Sequence, residues 1–235
     1  ARTECFEWLN AETIAGLEPD LAGRFRRALL FADEAHLDPR RALAALAAAL
    51  EKAGVAIRFG VELEPQHAAA DVVVDCRGLA ARDCLPDLRG VRGEMVVVLA
   101  PDVSLQRPVR MLHPRIPLYV VPRGDGLFMI GATMIESERR GPVSVRSAIE
   151  LLNAAYALHP AFGETEIVEL GADLRPAFPD NLPQVRRNGR IIHANGLFRH
   201  GFLLAPDLAR RVADAVLATL HLETDHADLP QRRRA

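Results

Sequence analysis

The spacing of apolar residues predicts a helix in the first quarter of the chain. Asp38 and Pro39 provide an N-cap and a first-turn proline, and the run RRALAALAAALEKAG that follows ends at Gly54. Apolar residues recur there at helical intervals. Four of them share one face of the helix: Leu43, Leu46, Ala47 and Leu50.

Two short apolar runs after this helix predict strands. VAIRF (55–59) is typical of a short strand, and AADVVVDCRG (69–78) is typical of a buried one that ends at Gly78. A helix followed by two strands indicates part of an α/β layer.

From Val91 onwards, the pattern changes to strands that are separated by turns. It predicts an antiparallel sheet with strands at 91–99, 109–113, 117–123 and 127–134. Asp125-Gly126 predicts a tight hairpin between the last two, because glycine accepts the positive φ that such a turn needs. Ser144 is a candidate N-cap for a helix that ends near Leu158, and a strand follows at 166–176.

The C-terminal region predicts a strand, a glycine-bearing turn and a helix. The strand is RIIHA (190–194), the turn is NGLFRHGFLLAP (195–206), and the helix runs from about Pro206 to Leu220. Its glycines allow close approach of a ligand, and the first amides of the helix would face an anionic or electron-rich ring. An ordinary strand-to-helix turn is the alternative interpretation.

Composition and charge exclude several classes of protein. The 235 residues are 49% hydrophobic and 26% charged, as in ordinary globular proteins, and the net charge of −2 gives no general attraction to nucleic acid or anionic membranes. Lys52 is the single lysine, and a genome that favours arginine codons is a better explanation of this than arginine chemistry. Three scattered cysteines and the lack of a long apolar run predict a soluble cytoplasmic protein.

Common motifs for phosphate, metal and nucleophile sites are missing from the sequence. It contains no G-x-G-x-x-G and no Walker loop, and Gly124-x-Gly126 belongs to the predicted hairpin. The eight histidines form neither H-x-H nor H-E-x-x-H, and no G-x-S-x-G occurs. We therefore expect neither a bound metal nor hydrolase chemistry.

Two arginines stand out by their position. Arg175 ends a predicted strand and Arg199 lies in the glycine-bearing turn, so both guanidinium groups could bind one carboxylate near the same helix. Solvated surface arginines are the commoner alternative. Tyr119 and Met134 have core packing as their simplest explanation.

A series of motifs resembles one family of flavoenzymes. YVVPRGDGLFMIGATM (119–134), DLRPAFPDNLPQVRR (173–187) and NGLFRHGFLLAP (195–206) occur in an order and spacing similar to those of the flavin-dependent glycine oxidases of thiamine biosynthesis, within the D-amino acid oxidase family. The resemblance extends from about Leu17 to Leu220. It includes DPRRAL, VVVDCRG and VRGEM.

The resemblance implies a two-domain fold of mixed α+β and α/β class. An antiparallel substrate-binding sheet accompanies the C-terminal part of an FAD-binding α/β domain, without that domain's N-terminal βαβ unit. The substrate domain is expected at 1–30 and 88–170 and the partial FAD-binding domain at 31–87 and 171–222. A tail follows at 223–235.

The resemblance also implies an activity and its residues. FAD, held non-covalently, would accept a hydride from glycine or a similar small amino acid and be reoxidised by dioxygen, which yields an oxo acid, ammonia and hydrogen peroxide for the thiazole branch of thiamine biosynthesis. Arg175 would bind the substrate carboxylate with help from Tyr119, while Met134 and Arg199 would lie near the substrate. The implied flavin contacts are Cys76, Arg77 and Gly78 at the adenine end and Gly201, Phe202, Leu203 and Leu204 along the isoalloxazine ring.

The sequence departs from this family in three respects. It has no N-terminal G-x-G-x-x-G turn for the FAD pyrophosphate, Glu94 replaces a common glutamine, and Arg77 is bulky where many relatives have a small residue. A buried Glu94 would need a partner. The alternatives are a non-catalytic paralogue that does not retain FAD and an oxidase of sarcosine or D-proline. The resemblance also implies a homo-oligomer, and the charge and the lack of a long apolar run predict neither a nucleic-acid nor a membrane partner.

Overall fold

The computed structural model of the protein describes residues 6–112 and 118–227. Its helices and strands, in chain order, are β1 (Glu7–Asn10), α1 (Ala11–Leu17), β2 (Arg27–Leu30), α2 (Pro39–Lys52), β3 (Val73–Asp75), β4 (Arg89–Leu99), β5 (Val109–Met111), β6 (Leu118–Gly124), β7 (Leu127–Gly131), α3 (Val145–Leu158), β8 (Glu166–Ala177), β9 (Gln184–Asn188), β10 (Ile191–Asn195) and α4 (Gly201–Ala227). The mixture of helices, antiparallel strands and one parallel pair confirms the expected fold class.

The chain folds into two compact units. We call the first the antiparallel unit; it consists of Ala1–Leu46, Arg92–Ile135 and Arg139–Asp173. We call the second the parallel unit; it consists of Ala47–Val91, Glu136–Glu138 and Leu174–Ala235.

A five-stranded sheet organises the antiparallel unit, with strand order β5-β6-β7-β4-β8. Asp125 and Gly126 join β6 to β7 with φ of 52° and 72°, which confirms the hairpin predicted there. His113, which we assigned to the strand at 109–113, lies outside the described residues, as does Pro117 at the start of the next.

Helix α3 closes one face of this sheet. The Ser144 hydroxyl accepts a hydrogen bond from the Ser147 amide at 3.2 Å, which confirms the predicted N-cap. Leu151, Ala155 and Leu158 are buried and belong to the same apolar core as the alternate residues of β4, β6 and β7. Apolar side chains that repeat every 3.6 residues along the helix therefore pack against apolar side chains that repeat every second residue along the strands.

The first hairpin of the chain was missed by sequence reasoning. Strands β1 and β2 pair antiparallel, and Asn10 is the N-cap of α1, which lies between them. Asn10 and Thr13 form a reciprocal capping box, in which the Asn10 side chain accepts from the Thr13 amide at 2.9 Å and the Thr13 hydroxyl accepts from the Asn10 amide at 2.9 Å. The spacing of these two residues was the available signal.

A three-stranded sheet, in the order β3-β10-β9, organises the parallel unit. Strand β10 runs parallel to β3 and antiparallel to β9. The parallel unit contains a small buried apolar cluster, which consists of Ala81, Leu85, Leu88 and Phe178.

Several predicted boundaries are wrong. Residues 55–59 form no strand, since no described strand lies beside them to complete the hydrogen bonds, and Phe59 is 83% exposed. The buried strand predicted over 69–78 is confined to β3. Helix α4 begins at Gly201 and contains Pro206, and it continues to Ala227 into the expected tail. The helix therefore starts five residues before Pro206, the predicted start.

Helix α2 forms where it was predicted, but its apolar face is exposed. The Asp38 side chain accepts hydrogen bonds from the Arg40 and Arg41 amides at 2.9 and 3.0 Å, as an N-cap does. No residue of the helix is buried, and Leu43, Leu46 and Leu50 are 47–59% exposed. Across the described part of the chain, no helix is both long and apolar enough to span a membrane.

Candidate functional site

Two of the segments predicted to bind a cofactor lie at one edge of the parallel unit. Strands β3 and β10 are neighbours in parallel register, with His193 opposite Asp75. Their carboxyl ends therefore meet at the same edge, where ligands bind in open α/β sheets. The loop Cys76–Gly78 leaves this edge from β3, and residues 196–200 leave it from β10 towards α4.

A buried carboxylate anchors the loop after β3. Asp75 accepts hydrogen bonds at 3.0 Å from the Arg77 amide, Nε and Nη2, and its Oδ2 lies 3.1 Å from Nδ1 of His193. Burial would raise the pKa of Asp75, but the hydrogen bonds and charge of Arg77 outweigh it and hold that pKa below its usual value. Arg77 also pairs with Asp83 at 3.1 Å. Its guanidinium is thus folded back onto carboxylates of its own unit.

The side chain of Asn195 joins the two loops directly. It donates from Nδ2 to the Gly78 carbonyl at 2.8 Å and accepts the Gly196 amide on Oδ1 at 2.8 Å. Gly78 has φ of 61°, a conformation that suits glycine. Asn195 is 4% exposed; its hydrogen bond with the Gly196 amide is buried, and the one to the Gly78 carbonyl is partly buried.

The glycine-bearing loop after β10 rests on an aromatic ring. Gly196 has φ of 82°, and a Cβ added to it would stand 2.4 Å from Cδ2 of Phe178. The guanidinium of Arg186 lies 4.4 Å from the centroid of this ring and pairs with Asp87 at 2.6 Å. Glycine is therefore the residue that lets this loop approach Phe178.

The first turn of α4 combines free space, amides and apolar side chains. A Cβ added to Gly201 would meet nothing within 4 Å, and Phe202 and Leu203 are 45% and 76% exposed. The Leu204 amide donates to the His200 carbonyl at 2.9 Å. The amides of residues 201–203 come before this hydrogen bond, in the first turn, where amides have no acceptor within a regular helix. An apolar ring with an electron-rich edge fits such a surface.

Arg175 and Arg199 lie close to this edge along the backbone. Arg175 is half-buried on β8, and the next residue, Pro176, accepts the Phe198 amide on its carbonyl at 3.1 Å. Arg199, which follows Phe198, is exposed. The structure thus joins the two segments, and the convergence of the guanidinium groups themselves stays a prediction.

Tyr119 and Met134 belong to the antiparallel unit. Tyr119 is opposite Gly131 in the β6–β7 ladder, and a Cβ added to Gly131 would stand 3.1 Å from the hydroxyl oxygen of Tyr119. Met134 follows β7 and is 53% exposed, so it is not the core residue that its type alone suggested.

Glu94 is fully buried and has the partner that we expected it to need. Arg92 donates from Nε to its carboxylate at 2.7 Å, and the Ser144 amide and hydroxyl donate to it at 3.2 Å. Burial would raise the pKa of Glu94, but the hydrogen bonds from Ser147, Arg92 and Ser144 together lower it. Arg92 in turn donates to the carbonyls of Arg139, Gly141 and Pro142. Glu94 thus links β4 to the start of α3.

A shallow cavity of about 270 Å³ lies beside β3. Its lining combines apolar residues with the anchored carboxylate and guanidinium: Leu63, Pro65, Ala68, Val73, Val74, Asp75, Cys76 and Arg77. Within the described ranges, no group of three or more His, Cys, Asp or Glu side chains could hold a metal ion.

Comparison with known proteins agrees with this geometry. Residues 1–215 match the family model named DAO, FAD dependent oxidoreductase. The chain belongs to this family of flavin-dependent oxidoreductases.

Two relatives show where in the family the chain falls. It is 61% identical, over 92% of its length, to a protein of Rhizobium etli named as a thiamine biosynthesis oxidoreductase, ThiO, and spans 66% of that protein. It is 28% identical, over 90% of its length, to a glycine oxidase of Bacillus licheniformis and spans 62% of it. The chain thus spans a little under two thirds of the length of these relatives.

Solved structures have the same fold. The glycine oxidase of Geobacillus kaustophilus superposes with a TM-score of 0.77 at 27% identity, over 92% of this chain and 64% of that one. Iminodiacetate oxidase from Chelativorans superposes with a TM-score of 0.75 at 20% identity, over 92% and 64%. At that identity, the second likeness concerns the fold alone.

Sequence reasoning missed the buried polar residues that organise the site edge. Asp75, His193 and Asn195 are each 3–4% exposed. The signal was a polar residue at or near the end of an apolar strand, in VVVD and in IIHAN. Such a residue is costly to bury unless it has a partner, so its presence there predicts one.

Proposed function

We propose that a protein containing this chain oxidises glycine or a similar small amino acid with FAD, in the thiazole branch of thiamine biosynthesis. FAD, when bound, supplies the acceptor for the substrate's hydride and returns the electrons to dioxygen. The products are an oxo acid, ammonia and hydrogen peroxide. The names of the two relatives, ThiO and glycine oxidase, support this choice of substrate and pathway.

The observation that carries the proposal is the meeting of three segments in the parallel unit. The Asn195 side chain donates to the Gly78 carbonyl, and the Phe198 amide donates to the Pro176 carbonyl. The segment after β10 is therefore hydrogen-bonded both to the loop after β3 and to the end of β8. The first turn of α4 follows directly and offers amides beside apolar side chains. These features fit a flavin, and they support the contacts at Cys76–Gly78 and Gly201–Leu204 that the family resemblance implies.

The chain's own residues act by binding and positioning. Arg175 holds the substrate carboxylate in a bidentate pair, which orients the α-carbon, and Tyr119 supplies a hydroxyl to the same carboxylate. Arg199 lies near the substrate, and Met134 shapes the pocket. Because a hydride leaves the α-carbon, the step needs orientation rather than a protein base.

The two units carry these roles in our proposal. The antiparallel unit corresponds to the substrate domain, and the parallel unit corresponds to part of the FAD domain. A cytoplasmic location and a homo-oligomer complete the proposal.

A titration of the purified chain with FAD tests it. We expect FAD fluorescence to be quenched on binding, the bound flavin to bleach when glycine is added without oxygen, and peroxide to form when oxygen returns. Arg175→Ala should bind FAD equally and bleach only at far higher glycine concentrations. A chain that leaves FAD fluorescence unchanged would contradict the proposal for this chain.

The exposed face of α2 favours a second candidate, a binding or assembly domain that holds no FAD. Its leucines are 47–59% exposed, and an apolar stripe of this kind commonly packs on another element. The same titration separates the two candidates, because a domain that holds no FAD would leave the fluorescence of FAD unchanged at every protein concentration.

A further inference from the structure

Asn195 occupies a special place in the β3–β10 pair. It is the last residue of β10, two positions beyond His193, whose ring faces the Asp75 carboxylate of β3. Both contacts connect residues that are almost half the chain apart, with separations of 117 positions for Asn195 and Gly78 and 118 for His193 and Asp75. The two strand ends are therefore joined by side chains as well as by the backbone ladder.

The two hydrogen bonds of Asn195 act on different loops. Its Nδ2 holds a carbonyl of the β3 loop, whereas its Oδ1 holds the first amide of the β10 loop. The β3 loop has its own brace, since Asp75 accepts the Arg77 amide and two guanidinium nitrogens. Asn195 thus connects the braced loop after β3 to the start of the loop after β10.

We propose that Asn195 is a positioning residue of the flavin site, which sets the loop at 76–78 against the loop at 196–200. This inference rests on the proposed function, which assigns flavin contacts to Cys76–Gly78 and to Gly201–Leu204. The loop at 196–200 leads directly into the second of these segments. Asn195 acts through the backbone of Gly78 and Gly196. A carboxamide suits this role because it has one donor and one acceptor group on a short, planar side chain.

The decisive variant is Asn195→Asp, which has nearly the same shape. A carboxylate still accepts the Gly196 amide, but it loses the donor and places a negative oxygen against the Gly78 carbonyl. The matched control is Asn188→Asp, the same change at an exposed position of β9. Asn195→Ser is the second variant, since its side chain is too short to reach both loops.

Two measurements test the inference, and the first needs no flavin. In hydrogen exchange of the flavin-free chain, residues 76–80 should exchange about tenfold faster in both Asn195 variants than in the control. In titration with FAD, the Kd of these variants should rise about tenfold or more, as expected when a supporting side chain is lost. Circular dichroism should show unchanged folding.

Each other outcome overturns the inference. Unchanged exchange at 76–80 would show that Asn195 does not hold the two loops together. Faster exchange with an unchanged Kd for FAD would show that Asn195 does not position the flavin. Unfolding of both variants beside a folded control assigns Asn195 to stability alone. If the unsubstituted chain takes up no FAD, the proposed flavin site is lost together with the positioning role. If the unsubstituted chain and the variants bind FAD equally, this inference alone is wrong.

Discussion

Gly196 and Phe178 are in closer contact than any other residue type at position 196 would permit. A Cβ on Gly196 would stand 2.4 Å from the Phe178 ring, which is itself fully buried. The loop that leads to the proposed flavin contacts of α4 therefore depends on a glycine for its distance from the core of the parallel unit.

Replacement of Gly196 by alanine should destabilise the protein strongly. Gly189→Ala is the matched control, since its φ of 60° is also positive but a Cβ there meets nothing within 4 Å. The control should lose about 1 kcal/mol from backbone strain alone. Gly196→Ala should lose about 2 kcal/mol more because Phe178 must move. Urea unfolding of both variants measures the difference, and equal losses would show that Phe178 gives way without cost.

Glu94 should make stability depend on pH. Its pKa is lowered in the folded protein from an ordinary value of 4.5, so the stabilisation is complete above that value and is lost as the pH falls through the folded pKa. Glu94→Gln should cost about 3 kcal/mol near pH 7, because it leaves the buried Arg92 without its carboxylate.

The difference between the unsubstituted protein and Glu94→Gln should shrink once the pH falls below about 4.5. Glu150→Gln serves as the control, since Glu150 lies on α3 outside the buried core. Thermal unfolding from pH 3 to 8 provides the curves. A gap of constant size over this range would mean that the Glu94 charge contributes nothing.

Arg175 should affect substrate binding and leave the flavin site intact. Arg175→Ala should raise the KM for glycine by about a hundredfold or more through loss of a charge-assisted bidentate pair, with an unchanged Kd for FAD. Arg175→Lys should recover part of the loss, because it keeps the charge without the fork. Arg211→Ala, at an exposed position of α4, is the control. Unchanged kinetics in Arg175→Ala would remove this residue from the site.

Leucine-to-alanine substitutions should cost much more stability in α3 than in α2. Leu151 of α3 is fully buried, so Leu151→Ala should cost about 3 kcal/mol. Leu43 and Leu46 of α2 are 59% and 57% exposed, and Leu43→Ala or Leu46→Ala should change stability by less than about 1 kcal/mol. Chemical denaturation measures all three. A large loss at Leu43 or Leu46 would mean that α2 is packed in solution.

Elements whose signals are local were predictable from the sequence. The Asp125-Gly126 turn and the Ser144 cap depend on the conformational preferences of single residues, and both are confirmed. Residues 55–59 have a strand-like composition, but a strand also needs a neighbour, which no local pattern supplies. Pro206 misled the prediction because proline is tolerated inside α4 near its start.

For the site, sequence reasoning identified the segments and missed their connections. The motif resemblance identified Cys76–Gly78 and the glycine-bearing loop as cofactor segments, and the structure shows both at one edge of the β3–β10 pair. Asp75 and Asn195 were not predicted as site residues, because the sequence around a single polar residue does not reveal its hydrogen-bond partner. The partners that join the two strand ends, His193 for Asp75 and Gly78 for Asn195, lie more than a hundred positions away.

The sequence by itself determined the turns, the helix caps, the alternation of the antiparallel strands and the family to which the motifs belong. These depend on backbone preferences and on residue order, which are properties of short stretches of chain. Only the tertiary structure decided which apolar faces are covered, with Leu151 buried and Leu43 exposed, and which polar groups meet at the site edge. Burial and hydrogen bonding across distant segments depend on chain topology, and no periodicity along the sequence records it.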